Sequence, residues 1–240
     1  MPLRNLNMLV RAILLALAAS FAASHSHGHE HHQHAQAVLT ESTTPISLEV
    51  REHWMRVAVQ ALHDLVSPCP FSAFGAAIVN HTAGSNGELV CIGANTIADD
   101  GNPTLHGEIA AINNCTAVLR DANGPYKLSP EETSEAWKQL SLYTTAEACP
   151  MCASAIRWAG FKEYVYATSS ETLIEAGWPQ MSINSRELFE RSGMVEPSTA
   201  ILTDVLHSET DALFDWQFDS RAPCPAGCSR NHAGDACSPN

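Results

Sequence analysis

Basic residues are scarce in this 240-residue sequence: 13 Lys and Arg stand against 26 Asp and Glu, a formal net charge of −13. Binding to nucleic-acid phosphates needs clustered cations, so a chain this acidic is excluded as a general nucleic-acid binder, and the same deficit keeps it off anionic membrane surfaces. Charged residues of both signs reach only 16% while hydrophobic residues make up 45%, which excludes a mostly disordered chain. Glycine and proline, 13 of each, are too few for a collagen-like one. The eight Cys are too few for a disulfide scaffold of this length but suffice for a metal site plus some bridges. No segment beyond the N-terminus reads as a membrane span. The length is that of one ordinary domain with flanking segments.

The flanks have their own character. Arg4 and Arg11 precede the apolar run Ala12 to Ala19 and the small residues Ala22, Ala23 and Ser24, the pattern of a secretory signal peptide over residues 1–23. The run is shorter than the roughly 20 residues a spanning helix needs. Cleavage would remove Arg4 and Arg11 and no acidic residue, taking the net charge from −13 to −15. A soluble, secreted, extracellular product is therefore expected. Residues 24–46 carry His25, His27, His29, His31, His32 and His34 and little that is apolar. They read as a disordered segment whose neutral imidazoles have affinity for divalent zinc or copper. Residues 221–240 turn to Pro, Gly and Cys and read as a tail without core residues.

Between them, residues 47–220 carry regular patterns. Trp54, Val57, Ala58, Ala61, Leu62, Leu65 and Val66 recur at three- and four-residue steps, predicting an amphipathic helix that Pro68 and Pro70 end. Residues 74–79 and 88–94 read as two strands of a hairpin around the Gly- and Asn-rich turn from His81 to Gly87. Helices are expected over 106–119 and 149–158, strands over 141–145 and 163–167. Alternating strands and helices indicate an α/β layered domain.

Two segments carry the chemistry: Asn102-Pro103-Thr104-Leu105-His106-Gly107-Glu108 and Ala146-Glu147-Ala148-Cys149-Pro150-Met151-Cys152. Each follows an expected strand and opens an expected helix. One imidazole, His106, and two thiolates, Cys149 and Cys152, form a three-ligand zinc set that leaves a fourth tetrahedral position for water. Cys149 and Cys152 sit at a helix start, where the N-terminus favours thiolate charge. Glu108 lies in the same first turn as His106, beside the metal without coordinating it, where a general acid/base belongs. On the residues alone, two other readings stay open. One is a secreted, non-catalytic zinc-binding protein; the other is a redox pair at Cys149 and Cys152, in which His106 and Glu108 would be idle.

The order H-x-E and then P-C-x-x-C is the signature of the zinc deaminases, and the chain resembles the cytidine deaminase-like superfamily. It is most similar to the guanine deaminase and tRNA adenosine deaminase branch, where D-P-T-x-H-A-E precedes C-E-P-C-x-M-C. Two departures stand out: Gly107 replaces the usual Ala, which is expected to loosen the first helical turn, and Ala148 replaces the usual Pro. The resemblance implies a three-layer α/β/α sandwich on a mixed sheet of about five strands, Zn2+ as cofactor and Glu108 as catalytic acid/base. It also implies hydrolytic release of ammonia from a free nucleobase or nucleoside. A purine such as guanine is favoured, with cytosine or cytidine as the alternative. It places Asn95, Phe74 and Trp158 at substrate-binding positions, although Phe74 and Trp158 also suit a core and Asn95 also suits a turn. The stretch from Glu175 to Gln180 aligns with a substrate-covering loop but lacks the acidic pair that guanine deaminases carry there. By resemblance the protein is a homodimer.

Cys69, Cys91, Cys115, Cys224, Cys228 and Cys237 remain. In an exported protein they can pair, and the odd trio in the tail implies one bridge back to the domain. Asn80-His81-Thr82 and Asn114-Cys115-Thr116 match the glycosylation acceptor pattern; Asn80, in an expected turn, is the better candidate.

Overall fold

The computed structural model describes residues 46–234 and 236–240. The expected leader, residues 1–23, and all but the last residue of the His-rich segment, 24–46, lie outside the described residues.

Ser47 starts the first helix, α1 (Leu48–Leu65), its Oγ accepting the Val50 N–H as an N-cap should. Trp54, Met55, Ala58, Ala61 and Leu62 fall on its buried face. Strands β1 (Gly75–Asn80) and β2 (Glu88–Ala94) pair antiparallel. They are followed by α2 (Gly107–Arg120), α3 (Pro130–Trp137), β3 (Leu140–Ala146), α4 (Pro150–Ala159) and β4 (Glu163–Thr168). The chain continues through α5 (Ser170–Glu175), α6 (Ser185–Arg191) and β5 (Ala200–Leu202). The sheet runs β2-β1-β3-β4-β5, with β1 antiparallel to both neighbours and β3, β4 and β5 parallel.

Every residue of β1 and β3 is buried, because helices cover both faces of the sheet, so these strands read as continuous rather than alternating apolar runs. On one face Ala77, Val79, Tyr143 and Val165 meet Trp54, Met55 and Ala58 of α1. On the other, Ala76, Ile78, Leu142 and Tyr164 meet Ala111, Cys115 and Leu119 of α2 and Cys152, Ala153 and Ile156 of α4. The expected three-layer sandwich on a mixed five-stranded sheet is what the structure has. Among the described residues no helix is long and apolar enough to cross a membrane.

At the end of the sheet where β1 finishes and β3 and β4 begin, a buried polar group ties α1 to the strands. The Arg51 guanidinium pairs with both oxygens of Glu163, at 2.9 and 3.1 Å, and Ser141 Oγ donates to the same carboxylate at 2.9 Å. Beside it the His81 ring lies 2.8 Å from the Tyr143 hydroxyl.

The six remaining cysteines form three disulfides: Cys91–Cys115, Cys224–Cys237 and Cys69–Cys228. The last is the bridge from the tail to the domain that the odd count implied. The tail itself departs from expectation. It forms a hairpin of β6 (Cys228–Arg230) and β7 (Cys237–Pro239), with Cys69, Trp216 and Cys237 as a small buried cluster. Arg230 donates to the carbonyls of Trp216, Asp219 and Ala222. Cross-links and one guanidinium supply the order that so few apolar residues cannot. The two acceptor asparagines differ in exposure. Asn80 closes β1 at 2% exposure, its Oδ1 accepting from the Thr82 N–H and hydroxyl, whereas Asn114 is exposed on α2.

Burial takes His81 down to about 4, so its ring is neutral in the fold and free to accept the Tyr143 O–H. The unfolded chain, whose histidine titrates at about 6.5, binds the proton more readily. The stability from this pair is therefore complete above about pH 6.5 and is lost as the pH falls toward 4. Urea midpoints measured between pH 7 and 4.5 should fall more steeply for the wild type than for His81→Gln.

Candidate metal centre and active site

The sheet topology decides where the motif residues meet. Because β2 and β3 both run antiparallel to β1 and flank it, they end at the same edge: Gly75 of β1 stands opposite Ala94, and Ala76 opposite Thr144. The chain leaves each strand there and soon enters a helix on the same face. Two strand spacings separate the exits, about 10 Å, and the helix starts close that distance. His106 is the N-cap of α2 and Cys149 the N-cap of α4. Glu108 and Cys152 follow within the first turns.

The approach of α2 to β1 accounts for Gly107. A Cβ there would stand 2.4 Å from the Phe74 carbonyl oxygen, a distance at which something must move. Gly107 thus admits the strand backbone against the helix start, rather than loosening the turn as expected. Asn102 shapes the preceding loop, its Oδ1 accepting from the Thr104 N–H and hydroxyl.

The His106 imidazole and the two thiols come together. Cys149 Sγ lies 3.5 Å from His106 Nδ1, and one donor atom from each of His106, Cys149 and Cys152 lies within 4.8 Å of the others. In a tetrahedral zinc site with Zn–S of about 2.3 Å and Zn–N of about 2.0 Å, adjacent donors stand roughly 3.5 to 3.8 Å apart, so the set fits that ion. Cysteine thiolate and imidazole are also the donors zinc prefers. Glu108 is outside the three-donor set and 6% exposed.

Titration of these groups is mutual. A hydrogen bond with Cys152, then one with His106, takes Cys149 down to about 4, while Cys152 is held well above the ordinary thiol range by its bond to Cys149 and by burial. The hydrogen bond with Cys149 raises His106, and burial raises Glu108. One negative charge is easily carried by the thiol pair. A second calls for a cation, as expected of thiols that serve as metal ligands.

The other residues singled out in the sequence have their own surroundings. Asn95 directly follows β2, its N–H donating to the Phe74 carbonyl and its Oδ1 accepting the Ile97 N–H at 3.2 Å, so its oxygen makes the turn that the alternative reading had offered. Phe74 is half-buried and packs against Trp178 at 5.3 Å and Phe214 at 5.1 Å between ring centres. Trp158 is not brought to this group. It lies near the C-terminal end of α4, six residues beyond Cys152 and thus about 9 Å along the helix, and is 78% exposed. Three further buried residues adjoin the site: Glu147, Tyr164 and Trp178. Glu147 sits in the quoted motif and Trp178 in the stretch aligned with a substrate-covering loop; Tyr164 carries no such signal.

Tyr164 explains how the chain tolerates its second departure. With Ala in place of Pro, residue 148 has a buried backbone N–H directly before the first thiolate, and it donates to the Tyr164 hydroxyl at 2.5 Å.

Residues 48–168 match the family model of the cytidine and deoxycytidylate deaminase zinc-binding region, and the chain belongs to that family. It is 35% identical over 105 residues to a guanine deaminase of Bacillus subtilis, an alignment spanning 44% of this chain and 56% of that one. It is 29% identical over 120 residues to a probable cytosine deaminase of Schizosaccharomyces pombe, spanning 48% and 62%. The matched part is thus less than two thirds of either relative's length. Among solved structures, a mutant of the protein NE0047 in complex with 8-azaguanine shares the fold at a TM-score of 0.50 and 22% identity, over 69% of this chain and 83% of that one.

Tyr164→Phe should lower stability by about 1–3 kcal/mol, the cost of leaving a buried N–H unpaired. In an Ala148→Pro background, which has no N–H to satisfy, the same change should be nearly silent in chemical denaturation.

Proposed function

We propose that the protein is a hydrolase that deaminates a free nucleobase or nucleoside with zinc as its cofactor. The observation that carries the reading is Glu108: a buried carboxyl in the same helical turn as His106, beside a three-donor set but not part of it. A purely structural zinc site closes with a fourth protein ligand and has no use for such a group. Zinc held by His106, Cys149 and Cys152 would lower the pKa of water to about 7 and so provide a nucleophile at neutral pH. Glu108 then does the proton work. It takes one proton of the attacking water and delivers it to the ring nitrogen next to the amino-bearing carbon, then takes the second from the hydroxyl now on that carbon and gives it to the leaving amine. The C–N bond breaks, ammonia departs and a carbonyl remains. Burial has already raised the affinity of this carboxyl for a proton, which suits a group that must both take one and give it up.

A purine such as guanine is the favoured substrate, supported by the guanine deaminase relative and by the 8-azaguanine complex on the same fold. Cytosine or cytidine is the second reading, supported by the probable cytosine deaminase relative. Export is the reading for the compartment: the three disulfides are what an oxidising environment maintains, in keeping with the leader-like N-terminus. We read the protein as a homodimer in which a second copy covers the exposed Trp158; sedimentation at micromolar concentration should give twice the chain mass, and Trp158→Asp should lower it.

Glu108→Ala should cut ammonia release from guanine, cytosine and their nucleosides by about 10² to 10⁴-fold, the usual worth of a positioned acid/base. It should leave one zinc per chain by elemental analysis. Chelation should abolish wild-type release, and added zinc should restore it. Full activity of Glu108→Ala would overturn the mechanism.

A further inference from the structure

Glu147 immediately precedes the zinc turn and is buried at 4% exposure, yet among the described residues it has no ion pair with a cation. Its carboxylate is satisfied by neutral donors from two other places in the chain. Oε2 accepts the Ser170 N–H at 3.0 Å, and Oε1 accepts the Ser185 N–H at 2.8 Å and the Ser185 hydroxyl at 2.5 Å. Ser170 opens α5 and Ser185 opens α6, so one carboxylate grips both ends of the arm between them. From this arm Trp178 reaches inward, its indole N–H donating to the Phe214 carbonyl at 2.9 Å. Its ring packs on Phe74, the residue whose carbonyl abuts Gly107 between His106 and Glu108.

We propose that Glu147 is a positioning residue for the substrate pocket: it registers the 170–185 arm, with Trp178, against the loop that carries Cys149 and Cys152. The metal donors and the aromatic wall are thereby set by one short stretch of backbone. This rests on the deaminase reading of the site for its kinetic consequence, but not for its structural one. A carboxylate is required because donors approach both oxygens. An amide offers one acceptor oxygen and turns an NH2 group on the other side, so Glu147→Gln must release either Ser170 or Ser185. Ser185→Ala removes only the hydroxyl donor and leaves both backbone bonds, which makes it the milder variant if Glu147→Gln folds poorly.

The test is hydrogen–deuterium exchange of the zinc-loaded full chain, with zinc content and steady-state kinetics measured alongside. Glu147→Gln is expected to speed exchange of amides in 170–185 by at least about tenfold, and Ser185→Ala by about fivefold, given that bonds to a charged acceptor are worth more than neutral ones. Both should keep one zinc per chain. In both, KM for the substrate found is expected to rise about tenfold or less, with kcat within about threefold, since the acid/base and the metal donors are untouched. Unchanged exchange in 170–185 for both variants would overturn the proposal, as would a fall in kcat at constant KM. If the wild type turns over no base or nucleoside, the deaminase reading fails while the exchange result still decides the role of Glu147.

Discussion

One antiparallel strand between two that run the other way is the constraint on which the site depends. Because β1 lies between β2 and β3 and runs against both, they finish on either side of its starting end, and the helices that follow begin next to one another on one face. His106 and Cys149, 43 residues apart in the sequence, become neighbours at two helix N-termini. The tight contacts belong to the same geometry. Gly107 exists to let the Phe74 carbonyl in, and at Gly93 in β2 a Cβ would stand 2.2 Å from the Ala111 nitrogen of α2. Strand and helix backbones touch here without side chains between them, so the angle of α2, and with it the direction of His106 and Glu108, has little freedom.

Around this frame the charge is distributed with care. The buried acids near the site are handled in two ways. Glu147 is surrounded by hydrogen-bond donors, which is how a carboxylate stays content without a cation. At Glu108 desolvation dominates and raises the carboxyl's affinity for a proton. Two buried residues of the same type thus differ in what surrounds them, and burial alone does not distinguish them.

Much of this was legible in the sequence. The metal donors and Glu108 could be read because the chemistry restricts them to a few residue types at fixed spacing, and the main helices and strands because their apolar periods are long. The helix Pro130–Trp137 escaped notice although Ser129-Pro130-Glu131-Glu132 spells a capping box with proline at the first position, and the structure shows both reciprocal bonds. That was a signal present and unread. By contrast, β5 has three residues and no period to read. The tail read as one without core residues, and its hairpin was not legible because a disulfide's partner is a matter of folded geometry. The contacts of Tyr164 with Ala148 and of Glu147 with Ser170 and Ser185 also join residues with no local pattern, and only the fold relates them. The burial of Asn80 is of the same kind: the turn was correctly located, but the asparagine lies just inside the strand, where its side chain serves the turn.

The Cys69–Cys228 bridge spans 159 residues and joins the loop after α1 to the last hairpin, so all five strands of the main sheet, with α2 and α4, lie inside a single covalent ring, and α1 lies outside it. A pull applied to the segments on either side of that ring is carried by a sulfur–sulfur bond before it reaches a hydrogen-bonded strand. The parts most easily peeled from an open sheet, the edge strands β2 and β5, are both within the closed loop. That arrangement leaves the sheet and the helices between its strands with, mechanically, no end from which to unravel.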